Sequence, residues 1–589
     1  MMTDEEILQL ARAWNEAEPS MATKSMGAEV LRSNDLESIR DHYGERLKFG
    51  TAGLRGRMGP GPNRMNMLTV RRAAIAFVRH VKECENNRQD ISLVVGFDAR
   101  YGSHDFARET ARVFGTFGVK TFLYQQYETT PMVAFAITAL GAQGGVIVTA
   151  SHNPPSDNGY KVYWSNGAQI IPPHDVLISE QIDGIEGMID VEIDDFEDLV
   201  SRELICEVPS SVRADYFDRI FAERVCPSQD EISVVYTAMH GVGFETMKSA
   251  LNRRGGVNLI PVTAQVEPDP DFSTVAFPNP EEDGAMDMAI DVARQNDGDV
   301  IFANDPDADR LCVAVPESDG DYRVLTGNEV GSIVGDELLR YRDVSQSDLV
   351  ATTIVSSRLL QKIARHYGVD YQDTLTGFKW LANAAIQKES TGGRFIFGYE
   401  EALGYSIGPV VRDKDGISVA LILSDLIAAL KSKGQTLLDR LTELYRIHGV
   451  HMTRQKSLTL TGSAGRAQIE YVMNTLRTEQ PRQFSNLNVV SCIDYQTRSM
   501  VIGDTTGPLT TSLPVSNVLE YALDEGSRIL VRPSGTEPKI KFYFESVVPM
   551  SESENLSTAE ANAQAQLKVV EDSLFQYIDS LNAQKDGDS

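Results

Sequence analysis

Val146-Ile147-Val148-Thr149-Ala150-Ser151-His152-Asn153-Pro154-Pro155 is a β-branched run that stops at a polar, proline-closed turn. A short apolar run bounded by turn residues reads as a buried strand. The Ser151 hydroxyl is therefore delivered to a strand end and held on a stiff loop. In open α/β sheets that is where ligands bind. A serine alone in such a turn is usually structural, so its meaning depends on the company it keeps.

Working outward, short β-branched runs alternate with longer helical patterns, which predicts βαβ units, a largely parallel sheet and an α/β fold. Leu93-Val94-Val95-Gly96-Phe97 reads as a strand ending at Asp98-Ala99-Arg100, followed by a helix pattern with Phe106, Ala107, Thr110, Val113 and Phe114. Val234-Val235-Tyr236, Asp299-Val300-Ile301-Phe302-Ala303 and Phe395-Ile396-Phe397 repeat the strand-to-loop design. Residues 131–150 carry no charge over a length that raises the question of a membrane span. Gln143, Gly144 and Gly145 interrupt the stretch, which divides into a short helix and the strand before Ser151.

At 589 residues the chain is too long for one core. An acidic stretch at 190–198, the turn around Pro316-Glu317-Ser318-Asp319-Gly320 and the helix end at His448-Gly449 place boundaries that give domains 1–205, 206–318, 319–448 and 449–589. After Ser551, Leu567, Val570 and Leu574 at helical spacing predict a closing helix. Lys plus Arg is 55 against 84 Asp plus Glu, a net charge of −29. That balance argues against nucleic acid or an anionic membrane as partner. Five scattered cysteines without a Cys-x-x-Cys pair, and an acidic amino terminus, suit a reducing cytoplasm.

Asn304-Asp305-Pro306-Asp307-Ala308-Asp309-Arg310 places three carboxylates at alternating positions directly after a strand. Hard oxygen ligands in a small loop suit Mg²⁺. An EF-hand is ruled out because its glycine position holds Arg310 and its closing glutamate position holds Pro316. Phe397-Gly398-Tyr399-Glu400-Glu401-Ala402-Leu403-Gly404-Tyr405 presents paired carboxylates on a glycine-bracketed loop, suited to vicinal sugar hydroxyls or to glycoside hydrolysis. Arg532-Pro533-Ser534-Gly535-Thr536-Glu537-Pro538-Lys539 supplies a guanidinium, hydroxyls and backbone amides for a phosphate. There is no Gly-x-x-x-x-Gly-Lys-Ser/Thr, which excludes a P-loop NTPase. Arg55 in a glycine-rich turn and Lys379 in Gly377-Phe378-Lys379-Trp380 are further candidate cations.

Taken together, these segments resemble the α-D-phosphohexomutase superfamily from about residue 40 to 545, with four motifs in the family's order. The resemblance implies four α/β domains around a central active-site cleft, the fourth smaller and mobile. It implies phosphorylation of Ser151, with Mg²⁺ held by that phosphoserine and by Asp305, Asp307 and Asp309. Ser151, His152, Arg55 and Lys161 are the candidate catalytic residues. Arg310, Lys379, Glu400, Arg532, Ser534, Gly535, Thr536 and Lys539 are the candidate substrate-binding set. The expected reaction is ping-pong phosphoryl transfer in a phosphosugar, with a sugar bisphosphate as intermediate and activator. Glucose 1-phosphate to glucose 6-phosphate is the first expectation; phosphopentomutase, phosphomannomutase and, from another class, a metal-dependent sugar phosphatase are the alternatives. Many members carry Ser where this chain has Ala402, so one sugar contact differs here. Local cations must offset a globally acidic chain, and Arg55, Lys161, Arg310, Lys379, Arg532 and Lys539 supply them.

Overall fold

The β-branched run forms the strand Gly144–Val148, buried along its whole length. It belongs to a six-stranded sheet ordered Leu54–Arg57, Asp157–Trp164, Gly144–Val148, Ser92–Phe97, Lys120–Leu123, Ile205–Glu207. Ser92–Phe97 pairs in parallel with both of its neighbours, as expected of βαβ units. The other edge differs from the parallel expectation. The short connection between Val148 and Asp157 has no room for a crossover helix, so Asp157–Trp164 returns antiparallel and sets Lys161 opposite Ile147. Leu54–Arg57 then pairs antiparallel to it, with Arg55 opposite Gly159.

The structure is a computed structural model that describes residues 2–587 apart from 461, 485–486, 504, 512 and 535–538, and apart from the side chains of 462–464, 466, 525 and 580–587. The chain divides into two units, one of residues up to Gly327 with Phe378–Lys433, the other of Asn328–Gly377 with Gly434 onward. Residues 319–448 are thus distributed over both.

Within the first unit the same plan recurs. Val300–Ala303 runs parallel to Ile232–Thr237, and Cys312–Pro316 returns antiparallel upon it. Arg394–Glu400 is followed by the antiparallel Gly404–Ile407. Three loops therefore connect a strand to its own antiparallel return, and each holds one non-glycine residue in the left-handed region: Ser151 at φ 50°, Ala308 at φ 57° and Leu403 at φ 60°. That conformation costs roughly 1–2 kcal/mol per residue, so the surrounding packing must hold it in place.

The charge-free stretch forms the buried helix Thr130–Ala139 and then the strand before Ser151. Among the described residues no helix is long and apolar enough to cross a membrane. The core beneath the first sheet gathers Phe77, Val81, Leu93, Phe114, Val146, Val148 and Tyr160. Of three amino-terminal helices, Asp4–Ala17 and Leu36–Tyr43 bring Ile7, Trp14, Ile39 and Tyr43 onto Leu68, and Met21–Arg32 packs Val30 and Leu31 against them.

In the second unit Asp348–Thr353 and Asp370–Thr374 pair in parallel. The carboxy-terminal sheet is antiparallel throughout its described pairings, including Arg528–Pro533 against Lys539–Val548 and Val450–Thr459 against the same strand. The closing helix Leu556–Gly587 buries Leu567, Val570 and Leu574 in that sheet's core, at the spacing seen in the sequence.

Candidate functional site

Two of the loops, carried by separate sheets of the first unit, lie face to face. Ser151 Oγ donates to Asp305 Oδ2 at 2.7 Å, and His152 Nδ1 lies 3.2 Å from Ser151 Oγ. Asp305, Asp307 and Asp309 are buried, and each offers an oxygen within 4.8 Å of the others. Asp307 Oδ2 accepts from Thr130 Oγ1 at 2.6 Å and from Lys161 Nζ at 2.6 Å. Asp309 Oδ2 receives Lys161 Nζ at 3.1 Å and Lys414 Nζ at 3.0 Å. Asp307 Oδ1 and Asp309 Oδ1 are buried without a hydrogen-bond partner. An unpartnered buried carboxylate oxygen is costly, and two beside a third carboxylate make a donor set that fits a hard divalent cation.

Electrostatics divide the three acids. Burial and then the charges of Asp307 and Asp309 raise the pKa of Asp305 well above the usual carboxylate range. Burial pushes Asp307 the same way, but the charge of Lys161 and the hydrogen bonds from Lys161 and Thr130 outweigh it and hold its pKa below that range. Burial alone favours a neutral amine on Lys161; Asp307 and Asp309 reverse this and hold it protonated. Burial, with Arg310 and Arg55 nearby, drives the His152 pKa well below its ordinary value, so the imidazole is neutral near pH 7.

The Ser151 loop is held from beneath by Arg100. Its guanidinium donates to the backbone oxygens of Ser151 and Asn153 at 2.5 Å each, of Pro154 at 2.8 Å and of Asp157 at 3.3 Å. Asp98 sits against Arg100, also accepts from Ser103 Oγ at 2.6 Å, and is buried with it. Arg55 reaches the loop through Asn153 Oδ1 at 3.2 Å. Behind the acidic loop, Gly241 leaves no space for a side chain: a Cβ there would lie 2.3 Å from Pro306 Cα.

Glu400 is half-buried at the end of Arg394–Glu400. Burial raises its pKa to about 7 against the opposing pull of Lys414 and Arg310. Arg310 extends to Glu281 Oε2 at 3.4 Å, and its backbone pairs with Gly404. Lys379 is the second residue of the helix Phe378–Ser390, where burial lowers its pKa. In the second unit, Arg532 donates to Thr376 Oγ1, and Ser534 N donates to Lys539 O at 2.7 Å. Gly535 and Thr536 lie outside the described residues.

Four participants were not legible as site residues in the sequence: Arg100, Thr130, Asp413 and Lys414. Asp413 is buried and accepts from Tyr163 Oη at 2.7 Å, Gln169 Nε2 at 2.8 Å and Lys414 Nζ at 3.3 Å. The available signal was Arg412-Asp413-Lys414-Asp415, a charged run wedged between Val410-Val411 and the apolar helix Gly416–Lys431. Charges placed so tightly against a buried helix need partners.

A mixed α/β architecture whose loops join a serine, a carboxylate triad and counter-cations is a candidate active site, and comparison with known proteins gives its family. Family models of phosphoglucomutase/phosphomannomutase match domain I at residues 46–187, domain II at 214–320, domain III at 326–446 and the C-terminal domain at 486–563. A Homo sapiens phosphopentomutase is 33% identical over 94% of this chain and 93% of its own length. A Staphylococcus epidermidis phosphoglucomutase is 34% identical over 88% and 94%. A probable phosphomannomutase of Haemophilus influenzae is 38% identical over 82% and 93%. The open form of the Paramecium phosphoglucomutase parafusin shares the fold at TM-score 0.65 and 19% identity, covering 89% of this chain and 94% of that one. The chain belongs to the phosphoglucomutase/phosphomannomutase family, within the α-D-phosphohexomutase superfamily, and is an isomerase of the mutase type.

Proposed function

We propose that the enzyme interconverts glucose 1-phosphate and glucose 6-phosphate, with Ser151 carrying the phosphoryl group and glucose 1,6-bisphosphate as intermediate and activator. The observation that carries this reading is the 2.7 Å contact of Ser151 Oγ with the carboxylate triad. Asp305, Asp307, Asp309 and the phosphate on Ser151 would hold Mg²⁺, which supplies charge neutralisation at the transferring group. In the first half-reaction the P–O bond to Ser151 Oγ is exchanged for one to a sugar oxygen, and the proton of that sugar hydroxyl passes to Oγ. In the second, the P–O bond of the bisphosphate's other phosphate is exchanged for one to Oγ, and the proton returns from Oγ to the freed sugar oxygen. Neutral His152, with Nδ1 3.2 Å from Oγ, is placed to carry that proton. Lys161, fixed by Asp307 and Asp309, supplies positive charge beside the phosphoryl group, and Arg55 and Arg310 add to it. Glu400 and Lys379 are assigned the sugar, and Arg532, Ser534, Gly535, Thr536 and Lys539 the phosphate that does not react. Concentrating cations at these positions offsets a chain whose net charge is −29. A reducing cytoplasm is the proposed location, consistent with five free cysteines.

A pentose phosphate is the second reading, favoured by the match to a phosphopentomutase over 94% of the chain. The deciding experiment compares kcat/KM over sugar 1-phosphates (glucose, ribose, deoxyribose, mannose), each with its bisphosphate. Highest efficiency on glucose 1-phosphate is expected. Preference for a pentose moves the assignment to the second reading, and steady release of inorganic phosphate replaces the mutase by a phosphatase.

A further inference from the structure

A second cluster of metal-ligating side chains lies in the first unit, built from residues that the transfer chemistry does not use. His80 and Cys84 stand four residues apart on the last turn of the helix Met67–Cys84, a spacing that puts both on one face. His174 is the first residue of the helix His174–Asp183, which packs against it. His80 Nε2 and His174 Nδ1 are 2.9 Å apart, and Cys84 Sγ is 3.7 Å from His80 Nε2. One ligand atom from each of the three lies within 4.8 Å of the others.

We propose that His80, Cys84 and His174 form a binding site for one thiophilic transition-metal ion, Zn²⁺ being the best match, separate from the carboxylate triad. Geometry and ligand chemistry carry the assignment. Around a tetrahedral zinc with Zn–N of about 2.0–2.1 Å and Zn–S of about 2.3 Å, neighbouring nitrogens sit about 3.3 Å apart and nitrogen and sulfur about 3.6 Å. The N···S separation of His80 and Cys84 already fits, that of His174 and Cys84 lies within 4.8 Å, and the N···N pair must open by only a few tenths of an ångström as the ion replaces their shared proton. Two imidazoles and a thiolate select zinc over magnesium, whereas three carboxylates select the reverse.

The surroundings favour a cation. Glu83 and Glu180 line the same surface pocket as His80 and Cys84, which leaves the fourth position open to water or to a carboxylate. Gln181 donates to both Glu83 oxygens, at 3.0 and 3.1 Å, and holds that side chain beside the pocket. The 2.9 Å contact of His80 Nε2 with His174 Nδ1 holds one proton between the rings, and that proton moves to the other nitrogen of its ring when the ion takes its place. A thiol binds the ion as thiolate, so one proton leaves Cys84 Sγ for solvent when the ion binds. The bound ion would tie the two helices together. Trp164 stacks on the His174 ring at 3.9 Å between centroids, at the end of the strand Asp157–Trp164 that carries Lys161.

Co²⁺ in place of Zn²⁺ gives a direct readout, because a cobalt–thiolate bond produces a near-ultraviolet charge-transfer band that carboxylate ligands do not. Titration of the whole chain under reducing conditions should give one equivalent of thiolate-bound Co²⁺, displaced by Zn²⁺ and not by Mg²⁺. Cys84→Ser should abolish the band, and His174→Ala should weaken binding by at least tenfold while circular dichroism shows both variants folded. Asp307→Asn should leave the band unchanged. Absence of the band in the wild type overturns the site, as does a band that survives Cys84→Ser or disappears in Asp307→Asn. Should either cluster variant fail to fold, Glu83→Gln and His80→Gln are titrated in its place, and loss of the band in His80→Gln alone keeps the assignment.

Discussion

The loop that carries Ser151 and the loop that carries Glu400 share one architecture, a strand followed by its antiparallel return, yet they are held in different ways. Around Ser151 every degree of freedom is spoken for. Arg100 grips four backbone oxygens, Asp305 fixes the hydroxyl, and Thr130 and Lys161 fix Asp307. Glu400 is half-buried, and its titration is governed by burial and by charges from Lys414, Arg310 and Glu401. Phosphoryl transfer rewards position, since misplacement by about 1 Å costs about 10²-fold. In its proposed role Glu400 meets a sugar presented by either end, and such a residue gains more from a tunable charge than from a rigid frame. The contrast predicts that damage to the first loop appears in kcat and damage to the second in KM.

The largest effect tests the premise. Ser151→Ala should lower mutase turnover by about 10⁴-fold or more, because the proposed reaction routes the phosphoryl group through Oγ. Turnover within tenfold of wild type would remove Ser151 from the reaction. Next is Arg100→Lys, which keeps a charge beside Asp98 but loses the fork that reaches four oxygens. A fall in kcat of about 10²-fold with KM nearly unchanged is expected from steady-state kinetics. A raised KM at constant kcat would erase the contrast between the loops.

Glu400→Gln should raise KM for the sugar phosphate by about tenfold or more with a smaller change in kcat, since hydrogen bonds to a charged acceptor contribute about 1.5–3 kcal/mol. Its pH dependence follows from a folded pKa of about 7. In the proposed role the ionised carboxylate is the stronger acceptor of sugar hydroxyls, so wild-type KM should climb as pH falls from 8 to 6, and the variant should be flat. Stability runs the other way. A carboxyl whose pKa is raised on folding stabilises the native state below its ordinary pKa of 4.5, and that contribution is lost as pH rises through 7. The Tm gained by Glu400→Gln should therefore be larger at pH 8 than at pH 5.

The two loops were also unequally legible. Ser151 and the Asp305–Asp309 acids could be read because each follows a β-branched run and is closed by proline or a second charge, signals local to the chain. The antiparallel return that sets Lys161 opposite Ile147 could not, since strand direction depends on how the connection closes in space. Arg100 looked like an ordinary turn residue because its partners are carbonyls some fifty residues away. Lys414 and Asp413 were hidden for a similar reason: charged residues before a helix normally face water, and only the packed fold puts Lys414 on Asp309. The carboxy-terminal sheet shows the limit of the βαβ reading, because alternation of strand and helix patterns does not report that successive strands pair antiparallel.

The smallest predicted effect bears on substrate choice. Ala402 lies in the turn between Glu400 and Gly404, next to Leu403 at φ 60°. Gly327 lies so close beneath this turn that a Cβ on it would sit 2.2 Å from the Glu401 carbonyl oxygen. The turn therefore has little freedom to shift, and a hydroxyl added at 402 would project from a nearly fixed backbone. Ala402→Ser should change the ratio of kcat/KM between glucose 1-phosphate and ribose 1-phosphate by about 3- to 10-fold, the amount one neutral hydrogen bond contributes at roughly 0.5–1.5 kcal/mol. The change should leave Tm almost unaltered, because the position is half-exposed and the added atom fills no core volume. An unchanged ratio would place sugar selection outside this turn, and the contrast between a rigid chemical loop and a selective one would then rest on Glu400 alone.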